Sequence, residues 1–277
     1  MTKYQLGFIG AGNMAEALIR GLIDKGVYTA AQIGITDVSS ERTGFLVKQF
    51  GVSVCDGNID LINNSATVLF AVKPQIIPSV LTEVQEISRP DQLFISIIAG
   101  TRAASIESGL QNTRNKKPRL VRVMPNTPAL VGLGVSGICA GANATTEDLQ
   151  TAEAICSAVG ITTRVDESLM DGVTALTGSG PAYIFYVIEA LIDAGVKIGF
   201  EPTQARDMVL QMVLGAATLA KNSDKSPQEL RRAVTSPKGT TEAGVNVLDQ
   251  EKVKEIVMRC VEAAEARGKE LGAMQVK

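Results

Sequence analysis

The hexapeptide Gly10-Ala11-Gly12-Asn13-Met14-Ala15 follows an apolar run, Leu6-Gly7-Phe8-Ile9, and opens a stretch from Met14 to Lys25 with apolar residues at helical spacing. It satisfies G-x-G-x-x-G/A. In that pattern the first glycine permits a tight turn, the second lets backbone approach a pyrophosphate, and a small third residue lets helix and strand pack closely. The phosphates then meet free N–H groups at a helix N-terminus, where the helix dipole favours negative charge. The pattern alone is weak, but here the preceding strand, the following helix and the next strand all agree. That next strand ends at Thr36-Asp37, where an acid accepts hydrogen bonds from ribose hydroxyls, favours NADH and repels a 2′-phosphate. Ser39, Ser40 and Arg42 offer donors and a positive charge to the same phosphate, and Ser39 or Ser40 also suits a helix N-cap. The choice between NADH and NADPH stays open at this point.

There is no histidine in the 277 residues, and no tryptophan. That removes Ser-His-Asp and Cys-His nucleophile pairs, His-bearing zinc sites and any imidazole acid or base. The four cysteines, Cys55, Cys139, Cys156 and Cys260, form no C-x-x-C pair. Their spacing predicts reduced, mostly buried thiols, not a metal or disulfide framework. On the substrate side, Ser236-Pro237-Lys238-Gly239-Thr240-Thr241 is rich in small residues and precedes a helical stretch, which suits an anion nest. Gly178-Ser179-Gly180-Pro181 reads as a helix N-terminal turn, with Ser179 a further candidate for substrate contact.

The elements that must position these residues fall into two parts. Short β-type runs alternate with helical stretches up to about Val165: Ile33–Thr36, Val52–Val54, Ala66–Val72, Leu93–Ile98, Leu120–Val123, Val135–Ala140 and Ile161–Val165, with helices over Glu41–Phe50 and Pro74–Ile87. Alternation of this kind predicts an α/β fold, a Rossmann-like doubly wound and mainly parallel sheet. Beyond it, Glu167–Thr177, Ala182–Ile198, Thr203–Lys221, Pro227–Val234 and Glu251–Leu271 read as helices. The expected domains are therefore residues 1–165, binding the dinucleotide, and an all-helical 166–277, binding substrate and dimerising. Met208 to Leu214 is apolar on more than one face, so a homodimer interface is the natural cover. With 27 basic and 29 acidic residues and no basic block, no nucleic-acid footprint is expected. The uncharged stretch from Gly172 to Ile188 is short for a membrane span and is read as a buried helix. The N-terminus reads as no signal peptide, so a cytoplasmic location is expected.

Further segments complete the pattern: Ala71-Val72-Lys73-Pro74-Gln75, Val123-Met124-Pro125-Asn126-Thr127-Pro128-Ala129, Leu176 to Tyr183, and Val234 to Gly244. Together with Gly7 to Met14, and in this order along essentially the whole chain, they resemble the pyrroline-5-carboxylate reductases. The resemblance implies NAD(P)H-dependent reduction of the C=N bond of 1-pyrroline-5-carboxylate to L-proline, and it slightly favours NADPH where Asp37 argues for NADH. It also implies a dimer interlocked through the helical domain, often in a ring of dimers. Carried over by position, Gly10, Ala11, Gly12, Asn13 and Met14 hold the pyrophosphate, and Asn58 lies on the adenosine side. Ala71, Val72, Lys73 and Pro74, with Ala99 and Gly100, border the nicotinamide half, and Met124, Pro125 and Asn126 form its floor. Thr241 is the hydroxyl that bonds the substrate's ring nitrogen. Ser236, Lys238, Gly239, Thr240 and Thr241 receive the carboxylate, with Asp224 nearby and no metal involved.

The chain departs from many family members in having Lys238-Gly239 where they have two glycines, so Lys238 either points to solvent or adds a cation beside the carboxylate. A cyclic imine protonates readily and accepts hydride without an imidazole, whereas ketone–alcohol chemistry usually wants a proton carrier at the oxygen. Two other readings are weighed. One is a β-hydroxyacid dehydrogenase, for which Lys197 and Lys221 are the available lysines, neither in a matching motif. The other is a non-catalytic NAD(P) sensor, against which the substrate-side loop argues.

Overall fold

In the computed structural model, which describes residues 2–274, the apolar runs pair into one eight-stranded sheet. The strands are β1 (Tyr4–Ile9), β2 (Ile33–Thr36), β3 (Ser53–Val54), β4 (Ser65–Phe70), β5 (Leu93–Ser96), β6 (Arg119–Met124), β7 (Gly134–Ala140) and β8 (Gly160–Arg164). Their order is β3-β2-β1-β4-β5-β6-β7-β8, parallel throughout except for the β6–β7 pair. The order reverses between β1 and β4, the topological switch point at which doubly wound sheets bind ligands outside their strands' carboxyl ends.

The helices of this part are α1 (Asn13–Asp24), α2 (Ser40–Phe50), α3 (Gly57–Asn64), α4 (Ile77–Val84), α5 (Ala103–Leu110) and α6 (Thr146–Ser157). They cover both faces, which is why the strands are apolar at successive positions and not alternately. Leu93 and Ile95 of β5 and Val121 and Val123 of β6 join one core with Leu18, Ile19, Leu22 and Ile155. Phe94, between the first two in sequence, and Leu120, just before Val121, join the opposite core with Phe70, Val80, Val84 and Ile106. Phe70 and Phe94 stack there with ring centroids 5.9 Å apart.

After β8 the chain passes through a 3₁₀ turn (Glu167–Leu169), α7 (Met170–Val173) and a π-helical turn (Thr174–Gly178). Then come α8 (Gly180–Lys197), α9 (Pro202–Asn222), α10 (Pro227–Ala233), α11 (Thr240–Gln250) and α12 (Val253–Met274). By packing, the described chain forms two compact units. One comprises Met1–Ser179 with Ala264–Lys277, the other Gly180–Ala263. The reason lies in Val173, Asp171 and Glu167. Val173 packs on Gly137 of β7, Gly268 of α12 approaches Asp171, and Glu167 pairs with Arg122 of β6. Those contacts bind the first turns after β8 and the end of α12 to the sheet.

The second unit has almost no interior of its own. Ala205 is its one residue among the buried hydrophobics described, while Phe185, Tyr186, Ile198, Met212, Leu214 and Leu219 are all more than half exposed or close to it. The expected buried helix over Gly172–Ile188 is thus uncovered within one chain from Gly180 onward. By length and composition alone, Glu167–Lys197 is apolar enough to cross a membrane.

Candidate active site

Gly10 leaves β1 with φ +103, a backbone region closed to residues with a side chain, and a Cβ there would lie 2.7 Å from the Ala71 carbonyl oxygen. Its N–H donates to the Thr36 carbonyl at 2.9 Å, and the Ala71 N–H donates to the Ile9 carbonyl at 2.8 Å. These bonds hold the ends of β1, β2 and β4 side by side. Gly12 is different. It is the N-cap of α1 with an ordinary φ of −70, and a Cβ there would meet nothing within 4 Å. The fold therefore gives no reason for glycine at 12; a ligand approaching the open N-terminus of α1 does. Ala15 is fully buried, as close helix–strand packing requires.

Asp37 follows β2 and is tied to the turn: its Oδ2 accepts the Ala11 N–H at 2.7 Å and its Oδ1 the Ser39 N–H at 2.9 Å. Ser39 caps α2 by accepting the Arg42 N–H. Arg42 points back at the glycine turn, Nε donating to the Ala11 carbonyl at 2.7 Å and Nη2 to Glu16 Oε2 at 2.6 Å. Asn58, in the first turn of α3, donates to Glu83 at 2.7 Å. Ala71, Val72 and Pro74, after β4, are half-buried, and Lys73 is exposed. Ala99 and Gly100 follow β5 and Met124 ends β6, so the expected cofactor residues gather along one carboxyl edge of the parallel strands.

Asn126 carries a structural duty the sequence did not reveal. Its Nδ2 donates to the Thr177 carbonyl at 3.0 Å and its Oδ1 accepts the Val135 N–H at 2.8 Å. It thereby clamps the π turn to the loop after β6. Ser179 closes that turn, donating its N–H to the Thr174 carbonyl at 2.8 Å. Single π turns are frequent at functional sites. A second unforeseen cluster sits beneath them. Arg122 is buried and donates to Glu167 Oε1 at 2.7 Å, an oxygen that also accepts the Ala103 N–H, while Cys139 Sγ donates to Glu167 Oε2 at 3.1 Å. Burial, then the Glu167 carboxylate, pushes the Cys139 thiol up to about 12, and burial does the same to Cys156, so neither is a nucleophile at neutral pH.

In the helical unit, Lys238 takes the left-handed φ of +58 and donates its N–H to Glu242 Oε2 at 2.7 Å. That φ is one glycine adopts without strain. Gly239 is the N-cap of α11, and a Cβ on it would collide with Ser236 Oγ. Thr240 and Thr241 begin α11 with exposed side chains, and their N–H groups belong to its first turn. Asp224 is exposed between α9 and α10. Lys197 ends α8 and Lys221 lies in the last turn of α9.

A doubly wound sheet with a glycine turn at its switch point is the architecture of a dinucleotide-binding protein. Residues 5–100 match the family model of NADP oxidoreductase, coenzyme F420-dependent, and residues 167–271 match that of pyrroline-5-carboxylate reductase dimerisation. The chain is 42% identical over 272 residues to the pyrroline-5-carboxylate reductase of Methanosarcina acetivorans, covering 98% of this chain and 99% of the relative. It is 40% identical over 272 residues to that of Pseudomonas aeruginosa, covering 98% of each. Among solved structures, a pyrroline-5-carboxylate reductase from Coxiella burnetii superposes with a TM-score of 0.90 at 36% identity, covering 98% and 99% of the two chains. That of Plasmodium falciparum, solved with NADP bound, gives 0.85 at 33% identity over the same shares. The chain belongs to the pyrroline-5-carboxylate reductase family.

Proposed function

We infer that this protein reduces the C=N bond of 1-pyrroline-5-carboxylate to L-proline with NAD(P)H, the last step of proline biosynthesis. The observation that carries the reading is the match over 98% of the chain to named pyrroline-5-carboxylate reductases. NAD(P)H held at the Gly10–Ala15 turn would supply a hydride for the imine carbon, with the ring nitrogen protonated. The open N-terminus of α1, with Gly12 presenting no side chain, fits the pyrophosphate. The chain's own residues then have to place the imine and receive its carboxylate. The first-turn N–H groups of Thr240 and Thr241 suit that anion, and the Thr241 hydroxyl suits the ring nitrogen. No histidine is needed, because a protonated imine is already an electrophile.

The reading includes a homodimer formed through the helical unit, extending to a ring of dimers, in the cytoplasm. The exposed Phe185, Tyr186, Met212 and Leu214 support a protein partner, as does the dimerisation model matched over 167–271. Glu189 and Asp193 lie on the same helix as Phe185 and are costly in lipid, which favours burial against a second copy over membrane insertion. Initial-rate oxidation of NADH and NADPH, with and without pyrroline-5-carboxylate, tests the activity. Substrate-dependent oxidation is the expected result. Its absence with both coenzymes, in folded protein that binds one of them, overturns the reading.

A further inference from the structure

We propose that Glu16, by holding Arg42 away from the adenosine ribose, makes this chain select NADH over NADPH. The inference rests on the reading that the Gly10–Ala15 turn holds a dinucleotide, and it goes beyond it to say which one. A 2′-phosphate brings about two negative charges to the end of β2. The side chains that follow β2 there are Asp37, Val38, Ser39, Ser40 and, on α2, Arg42. Arg42 is the cation of this group, and it is restrained three times. Its Nε is bonded to the Ala11 carbonyl at 2.7 Å, its Nη2 to Glu16 at 2.6 Å, and its guanidinium lies 5.0 Å from the Phe45 ring centroid. Glu16 is in turn held from its other oxygen by Arg20 at 2.6 Å, and its side chain is only 14% exposed. Turning Arg42 to a phosphate therefore breaks a partly shielded ion pair and a charge-assisted hydrogen bond, both stronger than an exposed surface pair.

Asp37 acts in the same direction. Each of its oxygens accepts one backbone N–H, which leaves lone pairs for hydroxyl donors. A ribose 2′-hydroxyl donates to them, whereas a phosphate has no proton to give and is repelled. Neither Glu16 nor the Glu16–Arg42 pair follows from the glycine fingerprint. Glu16 is a first-turn acid of α1, a position that by itself only complements the helix dipole.

Direct titration of the full-length protein with NADH and with NADPH, read by nicotinamide fluorescence without substrate, tests this. Wild type should bind NADH more tightly by about ten-fold, and Glu16→Gln should lower that ratio by about ten-fold or more, the lower end of one recovered charge-assisted contact. In an Arg42→Ala background the same Glu16→Gln change should move the ratio by less than about two-fold. A general loosening of the turn would weaken both coenzymes alike and leave the ratio in place. Tighter NADPH binding by wild type, an unmoved ratio in Glu16→Gln, or an equal shift without Arg42 would each overturn the proposal. If wild type binds neither coenzyme, the dinucleotide reading falls and the proposal with it. If the expected ratios hold but pyrroline-5-carboxylate is not turned over, the substrate reading fails and the role of Glu16 stands.

Discussion

Gly12→Val separates what the fold needs from what the ligand needs. Gly12 has an ordinary φ of −70, and a Cβ there would touch nothing within 4 Å, so the folded chain accommodates it. An apolar N-cap costs about 1 kcal/mol relative to good capping residues, and the stiffer unfolded chain returns about 0.4–1 kcal/mol. The melting temperature should therefore stay within about 3 °C of wild type. Coenzyme binding should not survive. A side chain in the approach to the α1 N-terminus displaces the pyrophosphate from at least one or two backbone N–H groups, each charge-assisted bond contributing about 1.5–3 kcal/mol. That predicts a loss in affinity of about 100-fold or more, about 2.7 kcal/mol. Fluorescence titration with NADH and NADPH, beside a thermal melt by circular dichroism, reads both quantities. Gly10→Ala is the reciprocal control: at φ +103, with the Ala71 carbonyl 2.7 Å from the new Cβ, it should destabilise the fold itself. Unchanged affinity in Gly12→Val would refute the reasoning about the turn. A protein that no longer folds would refute the reasoning about open space.

Thr241→Ala should lower kcat/KM for pyrroline-5-carboxylate about ten-fold or more while coenzyme affinity holds; loss of coenzyme binding instead would contradict a substrate-side role. Glu167→Ala leaves the buried Arg122 without its carboxylate and should cost roughly 3 kcal/mol in denaturant unfolding. An unchanged midpoint would show the pair contributes nothing. Burial raises the Glu107 carboxyl above its ordinary value of 4.5, although the backbone bonds from Ala142 and Asn143 pull the other way. The native state then binds the proton more tightly than the unfolded chain, so stability falls as pH rises from about 4.5 through the raised value. Glu107→Gln, which can keep an acceptor for the Ala142 N–H, should flatten the melting temperature across that range; an identical pH profile would remove Glu107 as the cause.

The sheet was legible because parallel strands covered on both faces are apolar runs, and the alternation with helical spacing fixed their connection. The short helices α3 and α5 were not, since eight residues give too few turns for a period to stand out. Helix α6 carried a readable signal, Thr145 with Asp148 in a capping box, that periodicity alone passed over. Residues Glu167–Thr177 were read as one helix, and the structure breaks them into 3₁₀, α and π turns. Hydrogen-bond register within a helix has no imprint in apolar spacing, so the π turn, closed by the Ser179 N–H on the Thr174 carbonyl, is not legible in the sequence. The cofactor side was legible as a motif, but the pairing of Glu16 with Arg42 joins residues 26 apart, beyond any local pattern.

Glycine placement shows why a motif match and a physical reading are different kinds of evidence. Gly10 and Gly12 are two letters of one pattern, yet only Gly10 is demanded by the backbone. Lys238 is the opposite case: a lysine at φ +58, where many relatives have glycine, at a cost of about 1–2 kcal/mol. Its N–H bond to Glu242, and the bond from the Gly239 N–H to the Ser236 carbonyl, hold the turn in that shape. A turn kept in a costly conformation by its neighbours, just before the N-terminus of α11, suits the carboxylate site proposed for it. Substituting glycine at 238 would relieve the cost and keep the geometry, so the loop's shape does not depend on the lysine's charge.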